Sequence, residues 1–393
     1  FNFLIMNHND FLKKLIPFTL TLVGIEIGTR IVAYQPISTS WSELHSNGVI
    51  TNISNSIRHH GFWDNGIKKY AFGNYANRIS LNSPIKSKPH SSKIESNSCS
   101  YLVLGDSFTF GWLVEFEEAF PTLIENYLNQ NLSNNRNIEF TNSSAGGWGL
   151  ADYPAYLEVF KEKLKQLHLD GIIVFVNSDD GRRAAISNLY SISKFQNMYF
   201  AEKNNTNYFS KTGLIKRALS HPLVSPIFNF SQRYSNFARI LKRLFLERRI
   251  LIDPRKNLVN SSTKYPSFGI KLDPNFNLTE NSKLKIDSSI VDLKEQSANF
   301  SPLLMVYTGV APLEVMDSAN RYMFSPEFKA HAESKGIKID FSTLPEKYLY
   351  PPNYTIKYDG HPNAEGHKNI ANHILNSQSE NSLKNFIKTT CPN

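Results

Sequence analysis

The residues best placed to do chemistry lie far apart in the chain. An apolar run, YLVL, ends at Gly105 and is followed by Asp106 and Ser107. A serine set directly after a buried strand and a glycine presents its hydroxyl at the sheet edge. That hydroxyl is a weak nucleophile and needs a neighbouring base. The segment YDGHPNAEGH supplies one: His361 can take the serine proton and return it to a leaving group. Asp359 can hold the imidazole in the required tautomer. Either segment alone is weak, because GDS arises by chance and most histidines are not catalytic. Together they point to acyl transfer through a covalent serine intermediate. Glu117 and Glu118, adjacent at the start of an amphipathic helix, suit the helix dipole better than acid–base work.

These residues need a scaffold that brings residue 107 to residue 361. From Tyr101 onward, short apolar runs alternate with helical periodicities. NIEFTN is strand-like, YPAYLEVFKEKLKQL helical and DGIIVFVNSDD a buried strand with a polar end. SPLLMVYTGV, FKAHAESKG, IKIDFS and the final helix after HPNAEGH continue the alternation. Such a pattern predicts a parallel sheet covered on both faces, with chemistry at the carboxyl ends of its strands. GDS, AGG and NSDD all fall just after predicted strands. Between about 186 and 300 the alternation breaks into an aromatic, basic stretch that reads as an insertion or cap. Within it, residues 233–250 form a basic amphipathic helix, which reads as a solvated helix packed on the core or, alternatively, a lipid-facing one.

GDSFTFGW, NSSAGGWG, VFVNSDD and DGHPNAEGH resemble the successive sequence blocks of the SGNH (GDSL-type) hydrolase superfamily. The resemblance covers roughly residues 101–182 and 302–376, and is similar in particular to bacterial members with one N-terminal anchor. It implies an α/β, flavodoxin-like three-layer sandwich with a central parallel sheet, an N-terminal membrane helix and a helical insertion. It also implies no metal and no organic cofactor, and cleavage or transfer of acyl groups on esters. On this likeness Ser107 matches the nucleophile, His361 the base and Asp359 its acidic partner. The spacing of Asp359, two residues before His361, is one shorter than the commonest pattern. The Gly147 and Ser107 backbone N–H groups match oxyanion donors.

The third block departs from the pattern. An asparagine is expected to donate to the oxyanion, and matching strand ends puts Asp179 there. An ionised carboxylate accepts hydrogen bonds but cannot donate them. Asn177 lies two residues earlier and shares a strand face with Asp179. Three readings stay open: Asn177 donates, Asp179 is protonated, or only backbone donors serve.

The rest of the chain bounds the setting. With 393 residues and 41% hydrophobic composition, a sizeable core is expected. The net charge is +9, but no nucleic-acid-binding motif accompanies it, so the sequence argues against a nucleic-acid partner. Lys13 and Lys14 precede an uncharged run from Leu15 to Ile25. Extended to Tyr34, it is long enough to span a bilayer and takes in Glu26 and Arg30, four apart and able to pair. The basic pair predicts a cytoplasmic N-terminus and an exported remainder; a cleaved signal or a packed helix are the alternatives. The expected division is residues 1–34 as tail and anchor, 35–98 as a linker or irregular arm, and 99–393 as the catalytic domain. Cys99 and Cys391 are either bridged or independent thiols. The expected partners are the membrane and an acylated carbohydrate or lipid. The activities considered are an esterase, an O-acyltransferase using the same serine, or an inactive glycan-binding relative.

Overall fold

The computed structural model describes residues 8–32, 42–61, 67–82, 98–131, 136–177, 179–186, 235–242, 278–300, 302–308, 318–340, 354–356 and 361–391. The chain forms two compact units: one of residues 1–39, 60–67 and 206–253, the other of the remainder.

In the first unit, helix α1 (His8–Val32) contains the apolar segment Leu15–Val32, long and apolar enough to cross a membrane. A carboxylate near the middle of such a span costs about 2.5–3.5 kcal/mol unless its hydrogen bonds are met. Glu26 meets them. It accepts from Arg30 Nε (2.7 Å), Ser235 Oγ (2.8 Å) and the backbone N–H groups of Asn236 (2.7 Å) and Phe237 (3.1 Å). The expected Glu26–Arg30 pair is therefore present. The described part of the predicted basic helix, residues 236–242, docks on α1 at the Glu26 carboxylate.

Short strands precede the main sheet: β1 (Ser42–Leu44) pairs antiparallel with β2 (Ile50–Asn52), and β3 (Ser56–Gly61), β4 (Ile67–Phe72) and β5 (Arg78–Ile79) form a three-stranded sheet. Over residues 42–82 the segment read as a linker or irregular arm contains short strands and packs its apolar residues inward in part. Val49, Tyr70, Ala71, Phe72 and Ala76 are buried there, so this arm is packed against the core. Residues 83–97, read as a connector, lie outside the described residues.

The main sheet contains β6 (Ser98–Leu104), β7 (Asn137–Asn142), β8 (Gly171–Val176), β9 (Leu303–Tyr307) and β10 (Lys338–Asp340). It is parallel throughout, in the order β10-β9-β8-β6-β7. Counted along the chain this is the flavodoxin-like order, whose switch point lies between the first and third strands, here β6 and β8. Strand parity sorts the core onto two faces. Leu102, Leu104, Ile172, Val174 and Met305 face the helix Asp152–Leu164 (Tyr156, Leu157, Phe160) and the helix Glu280–Ser297 (Ile286, Ile290, Leu293). Tyr101, Val103, Ile173, Phe175 and Val306 face the helices Phe120–Asn131, Ala364–Leu375 and Leu383–Thr390. The result is the expected three-layer α/β sandwich.

The insertion is shorter at its carboxyl end than the sequence suggested. Glu280–Ser297 is a helix of the sandwich itself, because Ile286, Ile290 and Leu293 recur at helical spacing and are fully buried. Residues 187–234 and 243–277 lie outside the described residues.

Cys99 and Cys391 form a disulfide, with Cα atoms 5.8 Å apart, which settles the question left open by the sequence. It joins the first main strand to the end of the last helix across 292 residues of chain. Reduction, or replacement of both cysteines by serine, is expected to lower stability by about 2–4 kcal/mol. Chemical denaturation with and without reductant measures this; coincident curves would show that the bridge contributes nothing.

Candidate active site

Three strand ends build the site. After β6 the chain turns at Gly105–Asp106 into a single helical turn, Ser107–Phe110. Asp106 caps that turn, its Oδ1 accepting from Phe108 N (2.9 Å). Ser107 is thereby held at a helix start, beside the orphan N–H groups that favour negative charge. Behind the turn, the Arg78 guanidinium donates to the carbonyls of Phe110 (2.8 Å), Gly111 (2.5 Å) and Val114 (2.6 Å). Burial, partly offset by Tyr70 and three nearby glutamates, lowers the Arg78 pKa to about 10, so it stays charged at neutral pH. Sequence reading missed this residue, which sits in the arm taken for a linker.

His361 completes the pair. Its Nε2 lies 2.9 Å from Ser107 Oγ. Two contacts hold the short segment that carries it: Ile356 N–H donates to His361 O (2.7 Å), and Asn363 N–H donates to Tyr354 O (2.9 Å). Asn363 then caps the following helix by accepting from Gly366 N (3.1 Å). Phe108 and Trp112 flank the imidazole at ring-centre distances of 5.1 and 5.9 Å. Asp359 lies outside the described residues.

After β7, Ser143 N–H donates to Val103 O (2.9 Å) and Ala145 N–H to Gly105 O (3.3 Å). These bonds tie the second glycine turn to the nucleophile turn. Gly147 has φ +78°, a left-handed conformation that side chains with a Cβ rarely adopt. Trp148 is fully buried with its indole N–H on Ile50 O (2.6 Å), so it is a core residue. Trp112 is half-buried beside Tyr70.

The third strand end carries the unusual chemistry. Asn177 Nδ2 donates to Asp106 Oδ2 (2.7 Å), so the amide nitrogen faces the nucleophile turn. Asp179 accepts from Arg182 Nε (2.7 Å) and Arg183 Nε (3.0 Å). Burial alone would raise its pKa, but the two guanidinia outweigh it and hold the carboxyl below the usual range. Both contacts favour the ionised, hydrogen-bond-accepting form of Asp179 over the protonated donor. Asp180 accepts from Tyr153 Oη (2.6 Å) and Asn177 N (2.9 Å). Burial, reinforced by the Asp106 charge, pushes its pKa well above the ordinary range. The arginines were not singled out from sequence, although their spacing, three and four residues after Asp179 on one helix, is a readable charge pattern.

His367 is fully buried, stacked on Phe120, and its Nδ1 accepts from Phe120 N (3.2 Å). Burial, then the nearby Arg78 and His361, lowers its pKa to about 3. An unfolded histidine titrates near 6.5, so between pH 6.5 and 3 the unfolded chain binds a proton that the folded chain does not. Stability at this residue is therefore complete above pH 6.5 and falls on acidification by about 1.4 kcal/mol per pH unit. His367→Gln is expected to flatten this slope in denaturation midpoints taken from pH 7 to 4. An unchanged slope would assign acid sensitivity elsewhere. Among the described residues, no cluster of three or more His, Cys, Asp or Glu side chains is arranged to hold a metal ion.

No protein-family model and no curated protein sequence matches the chain. Several solved structures do. TesA aligns at 10% identity with a TM-score of 0.35, covering 74% of this chain and 99% of that one. The psychrotrophic esterase EstA from Pseudoalteromonas aligns at 12% identity and a TM-score of 0.37, covering 71% and 95%. Axe2, an acetylxylan esterase from Geobacillus stearothermophilus, aligns at 13% and 0.35, covering 71% and 94%. Overlaps this low concern chain architecture; activity has to be read from side chains.

Proposed function

We propose that the chain is a serine esterase of the SGNH type, hydrolysing acyl esters through an acyl-enzyme on Ser107. The observation that carries this reading is the 2.9 Å contact between His361 Nε2 and Ser107 Oγ. It lies at the carboxyl ends of a parallel sheet, beside the switch point where such folds bind ligands. His361 takes the Ser107 proton as Oγ attacks the ester carbonyl, then returns it to the departing alcohol. Asp359 orients the imidazole. The oxyanion is met by the Ser107 and Gly147 N–H groups and the Asn177 amide. Asp106 aims that amide by accepting one of its hydrogens. Water, activated by the same imidazole, releases the acid.

The substrate in this reading is an acyl ester, such as an O-acetyl group, on an envelope glycan or lipid. The chain is anchored by α1 with its catalytic unit exported. The buried disulfide supports export, since such bonds persist in oxidising compartments. The engagement of Glu26 by residues 235–237 supports a retained anchor over a cleaved signal, because cleavage would remove that carboxylate from its partners.

A fluorophosphonate probe tests the reading directly. Wild-type protein is expected to be labelled once, at Ser107, and Ser107→Ala and His361→Ala not at all. A folded wild type that resists labelling would favour an inactive glycan-binding protein. Acyl transfer to an added glycan acceptor, in competition with hydrolysis, would identify an O-acyltransferase instead.

A further inference from the structure

We infer that Arg183 is the positioning residue of the oxyanion site, a single guanidinium that locks together the turns after β6, β7 and β8. The inference rests on the esterase reading above and deepens it. Arg183 Nη1 donates to Asp106 Oδ2 (3.3 Å), next to the nucleophile. The same nitrogen donates to Trp148 O, next to Gly147. Arg183 Nε donates to Asp179 Oδ2 (3.0 Å), and Nη1 lies 3.8 Å from Asp180 Oδ1. One side chain, 8% exposed, thus touches each strand end that contributes an oxyanion donor.

The surroundings are shaped for this reach. A Cβ added to Gly149 would stand 2.6 Å from the Arg183 Cβ and 3.0 Å from Asp180 O, so only glycine lets the arginine helix approach the second turn. The ion pairs interlock as well: Arg182 meets Asp179, and Arg183 meets both Asp179 and Asp106.

What Arg183 does follows from what its partners do. Asp106 caps the Ser107 turn and aims the Asn177 amide, so a displaced Asp106 moves two donors at once. The Trp148 carbonyl lies in the same glycine turn as Gly147, so holding it fixes the turn that presents the third donor. Arg183 does not touch the reacting atoms; it places the groups that do. A lysine keeps the charge but lacks the planar fork needed to reach several acceptors together.

The test compares wild type, Arg183→Lys, and the double variant Arg183→Met with Asp179→Asn. Removing Arg183 alone leaves a buried negative charge uncompensated and risks unfolding. The double variant removes one charge of each sign and leaves the net charge of the cluster unchanged. Thermal unfolding first establishes that each variant is folded. With a short-chain nitrophenyl ester, the double variant is expected to lose about 100-fold in kcat, the scale of one lost oxyanion donor, with KM little changed. Fluorophosphonate labelling should slow in parallel, since it needs the same donors. Arg183→Lys should fall between. A folded double variant with wild-type kcat and labelling rate would overturn the positioning role, reducing Arg183 to a charge balance. Absence of labelling in the wild type would instead strike the esterase reading beneath it.

Discussion

Ser107→Ala is expected to lower ester hydrolysis by about 10⁴-fold or more, the scale seen when a catalytic serine or histidine is removed elsewhere. The reason is structural economy. Ser107 Oγ is the hydroxyl held 2.9 Å from the imidazole, and its loss removes the attacking atom while leaving the Asp106 cap and the Arg78 buttress in place. The fold should therefore survive, and unfolding temperature should barely change. His361→Ala should cost a similar factor, and the double variant little more than either single one, because nucleophile and base act as one unit. The measurement is kcat on an activated ester at saturating substrate. A Ser107→Ala protein retaining a tenth of wild-type activity would move the nucleophile to another residue.

Asn177→Ala carries the second largest expected effect, a loss of about 100- to 1000-fold in kcat with KM little altered. Three features distinguish Asn177 from Asp179 as the third donor. It follows directly on Val176, the last residue of its strand. Its nitrogen is already turned to the nucleophile side by Asp106. Asp179, by contrast, is committed to two guanidinia. Because alanine also deprives Asp106 of a donor, a stability loss of about 1–3 kcal/mol should accompany the kinetic one. Assays belong well below the variant's unfolding temperature. A kcat within threefold of wild type would leave the oxyanion to backbone donors alone.

Much of this arrangement was legible before any coordinates. The nucleophile and base stood out because each follows a clear apolar run or precedes a capped helix, and the parallel sheet follows from strands that are apolar throughout. The charge network was hidden for a physical reason. Asp106, Asp179, Asp180, Arg182 and Arg183 look like solvent-facing polar residues, and only burial to 8% or less turns them into a single interlocked cluster. The packing of the arm was hidden likewise. Residues 42–82 are rich in Ser, Asn and Gly, yet Val49, Tyr70, Phe72 and Ala76 are buried, and Arg78 trades solvent for three carbonyls. Long-range satisfaction of that kind leaves no periodic trace. The disulfide, too, required a Cα separation that only the fold provides.

The distance along the chain between nucleophile and base also sets a clock. Ser107 and His361 are separated by 254 residues, and at about 5–20 residues per second of synthesis the serine waits roughly 10–50 s for its base to be made. During that interval the nascent chain has the serine but neither His361 nor the disulfide-linked last helix. On the esterase reading, a truncated or stalled product is inert toward esters. Activity would then begin only when the last helices have been translated and docked, and the order of translation would itself guard against an enzyme that works before it is finished.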